Sequence, residues 1–306
     1  MKTWFLALLA LVPAPVLAQP STKAAATKAP ATKPSTVRAP APEKTILFVG
    51  NSFTQGAHSA VKRYRADAVT DLNGDGYGGV PALFKTFTEE AGLNWRVSLE
   101  TQGGKTLGFH YEERRAKLAG KWDVVVLQEL STLDRDRPGD ATGYLKYAPK
   151  LAHMAKAENP GAQIYLMATW SRADQVYKPG TPWSGKPIAT MAEDLRAAAD
   201  RVRKSSADVF GVLPVGEAWN RAMAASVADP NPYDGIAFDQ LDLWAYDHYH
   251  ASIHGYYLEA LIVFGRITGV DPVTLGKDER AADDLGISKA QATALQRIAS
   301  EQLAGD

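Results

Sequence analysis

Three short stretches of this 306-residue chain carry side chains whose types could do chemistry together. Ser52 follows the apolar run ILFV and a glycine, in ILFVGNS. Gly103 and Gly104 stand in TQGGKT, and Asp247 precedes His250 by three residues in YDHYHASIHG. A serine hydroxyl supplies a nucleophile, a histidine takes its proton, and an aspartate holds the imidazole in one orientation. Paired glycines let backbone N–H groups approach a developing oxyanion. In a helical turn, residues three apart face the same way, so Asp247 reaches one ring nitrogen of His250 while the other points at Ser52. The sequence has no G-x-S-x-G, which argues against a nucleophile elbow.

Positioning such residues requires a frame. Buried-strand patterns occur at 45–49, 95–99, 124–127, 164–167 and 210–215, with helical spacing over 81–91, 142–157 and 189–204 between them. Pro149 falls inside the second of these helices. Alternating strands and helices with right-handed crossovers predict a three-layer α/β/α sandwich around a parallel sheet of about five strands, flavodoxin-like. Further helices are expected at 253–268, stopped by Gly269, and after Ser288, where Gln291 completes a capping box. In such folds ligands sit outside the carboxyl ends of the strands. Those ends carry Ser52, the glycine pair, Gln128-Glu129, Thr169-Trp170 and Gly216-Glu217.

The blocks GNSFT, GGKT and DHYH resemble those of the SGNH, or GDSL-type, hydrolases, with Asn51 where an aspartate is more usual. WDVVVLQELS, PVGEAW and HASIHGYYLEAL extend the resemblance to a poorly characterised exported branch of that superfamily, over about 45–269. The resemblance implies Ser52 as nucleophile, His250 as general base and then acid, and Asp247 as its orienting partner. It also implies the N–H groups of Ser52 and Gly104 as oxyanion donors. The third donor is commonly an asparagine in G-x-N-D, which this chain lacks. Gln128, a side-chain amide at a strand tip, is the candidate replacement.

Residues 1–18, with Lys2, an apolar run and a VLA ending, read as a secretory signal peptide. Residues 19–43 are rich in Ala, Pro, Thr and Lys and read as a disordered linker, leaving a catalytic domain over 44–306. The expected location is therefore secreted or periplasmic, with no stable membrane insertion after signal removal. Six basic residues and one acidic residue lie in 1–44, so the remaining 262 carry 28 basic and 33 acidic side chains. A mildly acidic domain has no nucleic-acid footprint. The chain has no cysteine, which excludes a thiol nucleophile or a thiolate metal site.

These readings converge on an exported serine ester hydrolase working through an acyl-serine, with an O-acetylated glycan or another small acyl ester as substrate and no catalytic metal. Two other readings compete. An inactive glycan-binding protein would keep the pocket without turnover. A metal-dependent hydrolase would gather His248, His250 and His254 around one ion beside Asp247. DLNGDG at 71–76 matches the first half of a calcium loop, offering Asp71, Asn73 and Asp75 to a structural calcium ion, although Ala82 stands where a bidentate glutamate is expected. The same loop is a candidate lid. Trp170, Trp183, Trp219 and Trp244 fall in or beside the carboxyl-end loops. Core packing is expected for Trp219, and for the other three either packing or stacking on a sugar ring. The segment SRADQVYKPGTPWSGKP is the expected specificity loop.

Overall fold

A computed structural model describes residues 13–15 and 42–306. The signal peptide and linker expected over 1–43 lie, apart from 13–15 and 42–43, outside the described residues.

Five strands form where unbroken apolar runs predict them: β1 (Lys44–Gly50), β3 (Trp95–Thr101), β4 (Val124–Gln128), β5 (Gln163–Ala168) and β6 (Val209–Pro214). A two-residue edge strand, β2 (Thr70–Asp71), makes the sheet six-stranded. The order is β2-β3-β1-β4-β5-β6 and every pairing is parallel. Val215, expected at the end of β6, instead opens a helix.

Between and beyond the strands run α1 (Gly79–Glu90), α2 (Leu107–Glu113), α3 (Arg115–Leu118), α4 (Thr142–Glu158), α5 (Ala173–Tyr177) and α6 (Ala189–Ser205). The chain closes with α7 (Val215–Ala224), α8 (Ile253–Thr268), α9 (Arg280–Asp284) and α10 (Lys289–Ala304). Helix α4 continues through Pro149. Gly269 ends α8 at φ 74°, and Ser288 with Gln291 forms the capping box that opens α10.

Side chains alternate across each strand, and here both sets are buried. Ile46, Phe48, Val97 and Val126 pack under α1, α7, α8 and α10. Leu47, Val49, Val125 and Leu127 face α4 and α6. This double burial gives the three-layer sandwich. The chain leaves β1 for β2 and β3 on one flank and later adds β4 on the other, so the end of β1 is the point where strand order reverses. A crevice opens at such a point because successive crossovers depart to opposite faces. Ser52 follows β1 directly.

Candidate active site

The turn after β1 needs its glycine for space. A Cβ at Gly50 would sit 2.4 Å from Thr54 Oγ1 and 2.7 Å from Gln128 Oε1. Asn51 then ties three segments together. Its N–H donates to Gln128 Oε1 at 2.9 Å, and its Nδ2 donates to the carbonyls of Lys105 at 3.0 Å and Glu129 at 3.4 Å. Its Oδ1 accepts the Phe53 N–H, and its carbonyl accepts that of Gln55. Ser52 therefore projects from a turn fixed at both ends.

His250 arrives from a loop rather than a helix. Trp244 and Ala251 bridge antiparallel, and the Ala245 N–H donates to the His250 carbonyl at 2.7 Å. The helical turn expected for Asp247 and His250 is replaced by a tight turn that the aspartate itself organises. Asp247 Oδ1 accepts the N–H groups of Tyr249 and His250 at 3.1 and 2.9 Å, while Oδ2 meets His250 Nδ1 at 2.6 Å. His250 Nε2 lies 2.9 Å from Ser52 Oγ, across 198 residues of sequence. The structure thus brings Ser52, His250 and Asp247 into one chain of hydrogen bonds.

The β5 loop holds this arrangement from behind. Trp170 Nε1 donates to the Tyr249 carbonyl at 3.2 Å, and Trp244 Nε1 to the Ser171 carbonyl at 3.0 Å. Phe53 stacks on Trp170 with ring centroids 4.1 Å apart, Trp170 stacks on Trp219 at 4.7 Å, and Trp244 meets Trp219 edge-on. Trp183 is buried too, its Nε1 donating to Asp194. All four tryptophans are core residues, so sugar stacking on Trp170, Trp183 or Trp244 is ruled out. Indoles at strand ends fill volume while their N–H reaches a backbone carbonyl or a carboxylate, as three of these do.

Burial pulls the His250 imidazole below its ordinary range. Asp247 pushes back, and the charges of His58 and Arg172 add to the lowering. Burial raises the Asp247 carboxyl, but hydrogen bonds from His250 and the neighbouring N–H groups outweigh it and hold the group below its usual value. The dyad thus rests as neutral imidazole beside carboxylate, the state a general base requires.

The N–H groups of Ser52 and Gly104 have no hydrogen-bond acceptor among the described residues. Gly104 has φ 68°, a left-handed conformation that favours glycine. Gln128 does not behave as the expected third donor. It is fully buried, its Oε1 accepts from Asn51 and from Thr54 Oγ1, and its Nε2 donates to the Glu129 carbonyl. The amide is engaged at both ends within the scaffold, and Gln128 is a brace of the serine turn. Glu129 plays a related part. Its carboxyl accepts the N–H groups of Leu107 and Leu130, and burial raises its pKa to about 8 against those two hydrogen bonds.

The metal and calcium expectations meet different side chains. His248 and His254 do not join His250; among the described residues the compact ligand-type group is His58, Asp247 and His250, with ligand atoms within 4.8 Å. Both His250 nitrogens are already engaged, by Asp247 and by Ser52. In DLNGDG, the Asp71 carboxylate accepts the N–H groups of Asn73, Asp75 and Tyr77. Asn73 donates to Glu100 and Thr101, and Lys117 Nζ lies 2.6 Å from Asn73 Oδ1. An ammonium group thus occupies the oxygen a calcium ion would share. The segment is an edge strand and turn tied to β3 rather than a lid.

Four neighbours of the site escape sequence reasoning. The His58 ring lies 4.3 Å from that of His250, its Nδ1 is 2.7 Å from Tyr246 Oη, and its backbone is left-handed at φ 63°. Arg172, from the segment expected to set specificity, pairs with Asp174 and lies 3.4 Å over the Tyr249 ring. No spacing signal marks them, because the contacts that bring them together, His58 with Tyr246 and Arg172 with Tyr249, join residues distant in sequence.

No family model matches the chain, and no curated protein does. Solved structures do. A DUF4886 family protein from Bacteroides uniformis has TM-score 0.59 and 16% identity, covering 86% of this chain and 95% of its own. A GDSL-like lipase from Parabacteroides merdae has TM-score 0.49 and 19% identity over 74% of this chain and 95% of its own. A family 3 carbohydrate esterase from Clostridium thermocellum has TM-score 0.46 and 16% identity over 73% and 94%. At 16% identity the likeness to the first of these is one of fold, the parallel α/β sandwich seen here.

Proposed function

We propose that the protein is an exported serine ester hydrolase, and that Ser52, His250 and Asp247 are its catalytic residues. The observation that carries this reading is the unbroken hydrogen-bond path from Ser52 Oγ through both nitrogens of His250 to Asp247. Ser52 Oγ attacks the ester carbonyl while His250 Nε2 takes its proton. The resulting oxyanion accepts hydrogen bonds from the Ser52 and Gly104 N–H groups. Collapse breaks the bond to the alcohol oxygen, to which His250 returns the proton, leaving an acyl-serine. Water, deprotonated by the same imidazole, then releases the acid and restores Ser52. Asp247 stabilises the imidazolium formed in each half-reaction without taking its proton.

On its exposed side His250 is bordered by His58 and Tyr246, whose polar atoms favour small esters of polyols. Short acyl esters and acetylated sugars, offered to the purified domain, test the reading. Hydrolysis should fall by at least about 10⁴-fold in Ser52→Ala. Activity that persists in that variant removes the serine from the mechanism.

A further inference from the structure

Tyr246 is 77% exposed, yet it is not free to swing. Its hydroxyl is held 2.7 Å from His58 Nδ1, and its ring meets the His58 ring edge-on at 5.5 Å. His58 in turn lies against the His250 ring, with its Nε2 3.9 Å from Asp247 Oδ2. A large exposed ring fixed in this way has already lost much of the rotational freedom that binding would otherwise remove. The left-handed backbone of His58 adds strain at the same point, which the neighbouring contacts must sustain.

Resting on the serine hydrolase reading, we propose that Tyr246 and His58 form the subsite for the alcohol half of the ester, and that this alcohol is a pyranose. His250 hands its proton to the departing alcohol oxygen, so the rest of that alcohol must lie within reach of whatever borders the imidazole. His58 and Tyr246 border it. The chemistry of this border is mixed: an aromatic face, a phenolic hydroxyl, an imidazole nitrogen and an adjacent carboxylate. A sugar ring answers all of them, placing its C–H face on the tyrosine and its hydroxyls on the polar atoms. A plain alkyl or aryl alcohol would cover those polar atoms without replacing their water.

Two measurements test the assignment. The first is the ratio of kcat/KM for mono-O-acetylated methyl β-glucopyranoside to that for ethyl acetate, in the full chain and in Tyr246→Ala and Tyr246→Phe. The ratio should fall at least tenfold in Tyr246→Ala, and less in Tyr246→Phe, which keeps the ring. An unchanged ratio, or a wild-type ratio that favours ethyl acetate, overturns the subsite. The second is saturation transfer by NMR from the protein to methyl β-glucopyranoside, the product alcohol, which needs no turnover. Transfer in the wild type that is lost in Tyr246→Ala supports the subsite; no transfer, or equal transfer in both, overturns it. Sugar bound through Tyr246 without cleavage of any ester would sink the hydrolase reading and leave the subsite standing.

Discussion

The side-chain carbonyl of Gln128 accepts the N–H of Asn51 at 2.9 Å, joining the tip of β4 to the residue before the serine. It also accepts Thr54 Oγ1 at 3.1 Å. The turn that presents Ser52 is therefore set by a neighbouring strand as much as by its own sequence.

Gln128→Ala strips these buried donors of their acceptor, at a cost of about 1–3 kcal/mol for each group left unsatisfied. Thermal unfolding should occur at lower temperature, and hydrolysis should weaken with it. An oxyanion donor would behave differently, losing roughly 10²–10³ in kcat with the unfolding temperature unmoved. Calorimetry beside steady-state kinetics separates the two.

The acid limb of the pH–rate profile should report His250. Catalysis requires the neutral imidazole, and burial holds its pKa below the ordinary histidine value of 6.5. The rate should therefore rise with pH along a limb centred below 6.5 and be level by neutrality. Asp247→Asn removes the charge that pushes this pKa up, so the limb should move to still lower pH while kcat drops by about 10⁴-fold. A limb centred above 7 would show that some other group sets the rate.

Glu129 should tilt stability the other way. Its folded pKa of about 8 exceeds the ordinary 4.5 because burial disfavours the carboxylate. Between those values the folded chain binds the proton that the unfolded chain releases. This contribution is fully present below about pH 4.5 and is lost as pH rises through about 8. The difference in unfolding temperature between wild type and Glu129→Gln, followed from pH 5 to pH 9, should shift steadily against the wild type. A difference that does not vary with pH would mean that Glu129 is ionised in the fold throughout.

Chelation should leave hydrolysis untouched. Both nitrogens of His250 are engaged by protein partners, and in the proposed mechanism every proton passes through that ring. Dialysis against EDTA followed by assay checks this; loss of activity restored by zinc would favour the metal reading built on His58, Asp247 and His250.

The parts legible in the sequence were those governed by local pattern. Strands buried on both faces read as unbroken apolar runs, and the Ser288 cap and Gly269 stop mark helix ends by their own chemistry. Edge strand β2 has two residues, too few for any period to show. Core packing was legible for Trp219, but for Trp170, Trp183 and Trp244 packing and stacking stayed open, because position along the chain says that a ring is near a strand tip but not which way it points. Trp170 points inward, between Phe53 and Trp219. Gln128 has the chemistry of an oxyanion donor, and only its tertiary partners make it a brace. His58 was invisible for the same reason, since Tyr246, to which it is bonded, lies 188 residues away.

Covalent labelling tests the central claim most directly. A fluorophosphonate added to the intact protein should react once, and peptide mass mapping should place the adduct on Ser52. Ser52→Ala should take up no label, and His250→Ala should label far more slowly. If the wild type stays unlabelled while correctly folded, or carries the adduct elsewhere, Ser52 is not an activated nucleophile and the account of catalysis given above is wrong.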